Sequence, residues 1–312
     1  MTKNKTNQIM DLYYYTIFGL NISSELELNM LNLITKPASI DVTIVFGTTP
    51  KQLNEPLDRR VQYEAKEGEF LMWFTFSTVR FYVQQGKRIT IETGGSEDWD
   101  FIKVFLLAPV TGALLHQRRV IPLHAGGVVV DNEVILLAGQ SGAGKSTTTA
   151  AFKEQGYQLM ADDIAVIHYN EEKIPIVEPG VPFVKLWKES FDVLEKEVPL
   201  TGRIRENIEK YFVPIKDLAP KALPIKRIYI LEKSDSITEP IIKDLSSIET
   251  VHHLRMGTYR YYYLIGLKGE KEHFQLAFSL GSQNKVKHLT RPMKYPVDQL
   301  IAFILDDLKN ND

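Results

Sequence analysis

One segment of this sequence carries the residue types and spacing of phosphoryl chemistry: Gly139-Gln140-Ser141-Gly142-Ala143-Gly144-Lys145-Ser146. It matches G-x-x-x-x-G-K-[ST] at every fixed position, follows the apolar run Val134 to Ala138 and precedes a helical pattern, the context this motif needs. The glycines let the backbone curl so that its N–H groups converge on a phosphate, and the helix N-terminus adds partial positive charge. Lys145 reaches the β- and γ-phosphates, the Ser146 hydroxyl ligates Mg²⁺, and Thr147 carries a further hydroxyl into the helix. The alternative is a Gly/Ser-rich turn with a chance lysine. Further along, Asp162 and Asp163 follow the strand pattern Tyr157 to Ala161. One carboxylate of such a pair can hold the metal, and the other can accept the proton of an attacking hydroxyl. An Asp-Asp strand-end turn is the bland reading. The closeness of the pair to the loop points away from small GTPases and transport ATPases. His124 opens a strand that pairs with the one feeding the loop, which brings an imidazole towards the γ-phosphate; a structural histidine is its alternative.

These residues need elements to hold them. Val128 to Val130 and Val134 to Ala138 flank Asp131-Asn132, a two-residue hairpin signal. Helix Lys145 to Gln155 is closed by Gly156. Strands are expected near 174–177, 225–231, 261–265 and 274–280, and helices near 187–196, 248–256 and 296–308. The stretch 199–224, rich in Pro, Lys and Glu, reads as a mobile excursion. Ahead of this half, residues 13–95 read as short aromatic and β-branched strands. A helix from Trp99 to Gln117 follows, capped by Ser96-Glu97-Asp98, kinked at Pro109 and closed by Arg118 and Arg119. The division expected is a β-rich N-terminal domain over 1–118 and a phosphate-loop domain over 119–312.

Composition narrows the classes. The 312 residues carry 37 Lys+Arg against 39 Asp+Glu, a net charge of -2, which argues against nucleic acid or an acidic membrane held by bulk charge. With 44% hydrophobic and 24% charged residues the chain is of folded type, and its length suits two domains. The absence of cysteine removes disulfides, thiolate nucleophiles and Cys-ligated metal sites. No apolar window is expected to reach the ~18 residues of a membrane span, and the polar start lacks a signal-peptide pattern, so a cytoplasmic protein is the default. Arg255, Arg260 and Lys185 could reach a phosphate or an acidic peptide, with solvated surface charge as the more ordinary reading, and the adjacent His252 and His253 cannot put both rings on one helix face for a metal.

His124-Ala125-Gly126, the phosphate loop and Gln158-Leu159-Met160-Ala161-Asp162-Asp163 together resemble the catalytic domain of HPr kinase/phosphorylase, whose core is similar to that of phosphoenolpyruvate carboxykinase. The resemblance is good over roughly 121–170. It implies an α/β (α+β mixed) kinase core preceded by a smaller β-rich domain, with the histidine, Lys145, Ser146 and the Asp pair as the site, Asp163 as the base and Asp162 assisting the metal. The family's second, glutamate-containing signature is missing, which puts the reverse phosphorylase reaction in doubt. In its place stands Glu178-Pro179-Gly180-Val181-Pro182-Phe183-Val184-Lys185-Leu186-Trp187. That segment, Phe18 to Leu26 and Gly112 to Gln117 look like a subgroup associated with ribosomally made peptides, including kinases of lasso-peptide precursors. The implied reaction moves the γ-phosphoryl of ATP, or a related donor, to a serine of a peptide or small protein with Mg²⁺. The β-rich domain is then a candidate peptide holder. HPr kinases are oligomeric, so the resemblance leaves room for a homo-oligomer. Two other readings stand beside this one: a kinase for a small hydroxyl metabolite, and a nucleotide-binding regulatory protein that transfers nothing.

Overall fold

The computed structural model describes residues 12–194, 196–198, 203–205 and 208–310. Two mixed sheets and a small third one form a mixed α/β fold. The first sheet takes all eight of its strands from residues 13–92, and at its centre Val42–Phe46 runs parallel to both Leu20–Ser24 and Arg88–Glu92. Its inner face is closed by the helical run from Trp99 to Gln117, begun by Asp98, whose carboxylate accepts the Phe101 N–H at 3.0 Å. Tyr15, Phe70 and Phe81 share one core with Ile102, Leu106, Val110 and Leu114. Pro109, which lacks an N–H to continue an α-helix, sits in a π-helical turn over Leu106–Val110, and the Thr111 hydroxyl bonds the Leu106 carbonyl at 2.7 Å. This 19-residue run is long and apolar enough to pass for a membrane span by length and composition, contrary to the expectation from sequence. It is the core helix here, with 67% of its most apolar stretch buried.

The second sheet is organised by the twelve-residue strand Leu223–Ser234. Glu133–Gly139 and Val286–Pro292 pair with it in parallel on either side, so the C-terminal ends of three strands lie together. Ala125–Val130 folds back antiparallel on Glu133–Gly139 through the turn Asp131-Asn132, both residues at positive φ as a type I′ hairpin needs. The start of that strand therefore lies beside the loop, and Leu159–Ala161 ends next to it, pairing Ala161 with Gly127. Side chains alternate across the sheet. Ile135, Leu137 and Leu231 pack with helices Lys145–Glu154 and Val297–Asn310 on one face. Val134, Leu136 and Ile230 pack with helices Ser247–Gly257 and Glu270–Ser282 on the other.

Several expectations are corrected. Residues 261–265 and 274–280, expected as strands for their aromatic and β-branched content, form a turn running into helix Tyr263–Gly266 and part of helix Glu270–Ser282. In the longer one His273, Leu276, Ala277 and Leu280 are buried at helical spacing, while Phe274 and Phe278 stack on each other outside. Val286–Pro292 hides its strand pattern by burying charged groups, Lys287 and Arg291. The supposed excursion contains a strand, Ile208–Pro214, paired with Phe183–Trp187 in the third sheet; 199–202, 206 and 207 lie outside the described residues, as does the polar start of the chain.

Candidate phosphoryl-transfer site

The loop from Gly139 to Ser146, expected to bind phosphate, takes the backbone path its glycines permit. Gly139, Gly142 and Gly144 have φ of 136°, 82° and 103°, a region other residues adopt only at a cost, and Gly144 caps the helix. The buried Lys145 ammonium spans the loop, donating to the carbonyls of Gly139 at 2.8 Å and Gln140 at 3.0 Å. Ser141 and Gly142 are exposed, and Ser146 stands half-buried in the first helical turn. Together with Gly144, Lys145 and His124 they line a cleft of about 610 Å³. Thr147 also lines it, but its hydroxyl is shared with that of Ser190 at 2.9 Å, which ties the loop helix to the neighbouring helix Lys188–Val193. Ala143 is buried, and its carbonyl accepts from Nε and Nη2 of Arg291 at 3.3 and 3.1 Å. Nothing in the sequence marks Arg291, which comes from the far parallel strand; burial pulls its pKa down.

Across the loop lie the other residues expected in the site. His124 is fixed by its backbone N–H on the Gly257 carbonyl at 2.8 Å, and its Nδ1 lies 2.8 Å from the Asp163 carbonyl oxygen. That oxygen can only accept, so Nδ1 carries the proton and, in the neutral ring, Nε2 keeps the lone pair. The Asp163 carboxylate is close too, its Oδ1 3.4 Å from Nδ1. Asp163 itself has φ 68°, in the left-handed region. Asp162 is buried at 1% exposure, and its Oδ2 accepts the backbone N–H of Lys185 at 2.8 Å.

Lys185 corrects the sequence reading. Rather than a solvated surface charge, its ammonium lies 2.5 Å from Asp163 Oδ2 and 6.0 Å from the centre of the Phe212 ring. Burial alone would lower its pKa; the charge and hydrogen bond of Asp163, with the charges of Tyr259 and Asp162, together more than offset that, and the ammonium is held above its ordinary value. Arg260 is also not plain surface charge, since it lies over the Tyr259 ring and donates to the Tyr262 hydroxyl at 2.7 Å. Arg255 is exposed and pairs with Glu270, as a surface group does. His252 and His253 line a second cleft of about 740 Å³ along Gly139 to Ala143, with His288 5.5 Å from His253, centre to centre, and paired with Glu232 at 2.9 Å. Among the described residues no group of three or more His, Cys, Asp or Glu is placed to hold a metal ion by itself.

No family model matches the chain, and no curated protein matches it. Among solved structures it is similar to the Hpr(Ser) kinase/phosphatase from Coxiella burnetii, with 13% identity over 60% of this chain and 93% of that one and a TM-score of 0.30. A likeness at that score is too slight to say more about this chain than its own geometry does.

Proposed function

We propose that this protein is a Mg²⁺-dependent phosphotransferase that moves the γ-phosphoryl group of ATP, or a related donor, to a serine hydroxyl of a peptide. What supports the reading is that strand Ala125–Val130 lies between the strand that feeds the loop and the one that ends in the Asp162/Asp163 pair, that His124 lines one cleft with Lys145 and Ser146, and that His124 is bonded to Asp163. The loop amides and Lys145 take up the charge of the donor phosphates, since phosphoryl transfer is chiefly a matter of positioning and charge neutralisation. Ser146, which lines the cleft, and the buried Asp162, whose Oδ2 also accepts the Lys185 N–H, are the residues that would hold Mg²⁺, a hard ion that usually binds through one or two protein oxygens together with substrate phosphates. When bound, the ion supplies charge neutralisation at the β- and γ-phosphoryl oxygens.

Asp163 is the acceptor's base in this reading. The acceptor oxygen bonds to the γ-phosphorus as the bridging P–O bond of the donor breaks, the hydroxyl proton passes to the Asp163 carboxylate, and the nucleoside diphosphate leaves. Assignment of the acceptor as a serine in a ribosomally made, lasso-type precursor rests on the sequence resemblance, and the first sheet is the proposed holder of the peptide. Incubation with Mg-ATP and a serine peptide is expected to give a nucleoside diphosphate and phosphopeptide together. Diphosphate formed at the same rate without peptide would favour a small hydroxyl acceptor or water.

A further inference from the structure

We propose that Lys185 is a positioning residue of this transfer, one residue that binds both carboxylates of the Asp pair; the inference rests on the kinase reading and names a part of its machinery that the phosphate-loop motif does not include. Two bonds of different kind arrive from one residue. Its backbone N–H fixes Asp162 Oδ2 and its ammonium fixes Asp163 Oδ2. Neither bond is a surface accident: the lysine side chain is 15% exposed and the Asp163 side chain 14%. The lysine is in turn held by its place in strand Phe183–Trp187, paired with Ile208–Pro214, with Phe212 beneath its ammonium.

The arrangement answers two needs of the chemistry. Asp163 sits in a left-handed backbone conformation, and two contacts pin it: its carbonyl oxygen is bound by His124 and its carboxylate by Lys185. Its carboxylate is thereby held at a fixed angle, as a base must be to meet an acceptor hydroxyl in line. The second need is electrostatic. A carboxylate base and a γ-phosphoryl group repel each other, and an ammonium in contact with the base offsets that repulsion without entering the proton transfer. Throughout the step the acceptor proton goes to Asp163 and Lys185 keeps its own.

A double-mutant cycle with a transfer-independent arm tests this. Lys185→Met is expected to lower kcat about a hundredfold with nucleotide affinity within about threefold, and Lys185→Arg to recover most of the loss, because the charge and one donor return. Since Lys185 acts through Asp163, the double variant D163N/K185M should transfer no more slowly than D163N alone. Losses that multiply, or a K185M enzyme of unchanged kcat, overturn the proposal. Should K185M fail to fold, K185R and ¹⁵N NMR of the Lys185 ammonium still decide: the signal is expected to be exchange-protected in the unsubstituted protein and to move or vanish in D163N. A signal indifferent to D163N overturns the pairing. An unsubstituted protein that transfers nothing while showing the D163N-sensitive signal would sink the kinase reading and leave the lysine's hold on the Asp pair standing.

Discussion

In the proposed transfer Asp163 is the base, and its surroundings give a specific expectation. The carboxylate is held by Lys185, and the neighbouring carbonyl by His124. Replacement by asparagine keeps size and a hydrogen-bonding oxygen but removes the base. Asp163→Asn should lower transfer by about 10²- to 10⁴-fold, with nucleotide affinity, measured by calorimetry, nearly unchanged. Transfer surviving in that variant would remove Asp163 from the role of base. The residues of this site divide sharply in how legible they are. Gly139 to Ser146, Asp162, Asp163 and His124 stand out because a phosphate loop and a carboxylate pair need those types at those spacings. Arg291 does not, and Lys185, marked as able to reach a phosphate or an acidic peptide, reads more readily as surface charge, because a lysine or arginine in a sequence does so until the fold shows what it faces. Only the buried partners, the Asp163 carboxylate and the Ala143 carbonyl, reveal them.

The phosphate-loop helix can reach the sheet because Gly126 lacks a side chain. A Cβ on Gly126 would stand 1.9 Å from the Thr149 hydroxyl oxygen, which is bonded to the Lys145 carbonyl at 2.9 Å. The glycine of the His124-Ala125-Gly126 motif is therefore explained by close packing of helix Lys145–Glu154 on strand Ala125–Val130 rather than by contact with a ligand. Gly126→Ala should destabilise the fold by about 1–3 kcal/mol and weaken nucleotide binding by displacing the helix. Adding Thr149→Ala should restore much of both, measured by thermal unfolding and calorimetry; a double variant no better than the single would refute this account of the glycine. Local signals were strong enough to give this element, its hairpin and the helix cap at Asp98. They failed where tertiary burial overrides propensity, as in Glu270–Ser282, whose outward Phe274 and Phe278 resemble strand residues, and in Val286–Pro292, whose buried charges hide a strand.

The two large sheets share a core, for Ile164, Val166, Phe183 and Tyr263 pack with the first-sheet residues. Near this junction lie two buried histidines, and they set an acid limit on the whole molecule. His116 donates from Nε2 to the Tyr259 carbonyl at 2.9 Å, and His273 bonds Thr258; burial pushes the pKa of each down to about 4. The unfolded chain takes up protons at these positions below about 6.5, while the folded one refuses them until about 4. Their contribution is therefore complete above about 6.5 and is lost as pH falls towards 4, by at most roughly 3 kcal/mol apiece. His168, whose pKa is raised by its bond to Glu178, works the other way, its contribution present below its unfolded pKa and lost as pH rises through the raised one. Unfolding midpoints measured from pH 7 to 4.5 should fall, and His116→Gln should flatten that fall; a slope unchanged in the variant would contradict the assignment. The joining of the sheets was not legible, since it depends on Tyr263 and Phe183, whose places follow only from the assembled fold.

In the proposed function this molecule phosphorylates a peptide serine. Intact-mass spectrometry of a serine-containing precursor peptide, after incubation with the protein and Mg-ATP, tests it most directly, with Lys145→Ala as the control. The expected result is a phosphoryl mass increment that fragmentation places on a serine and that disappears with K145A. An unmodified peptide in the presence of protein that binds nucleotide, or an increment that persists in K145A, would contradict it.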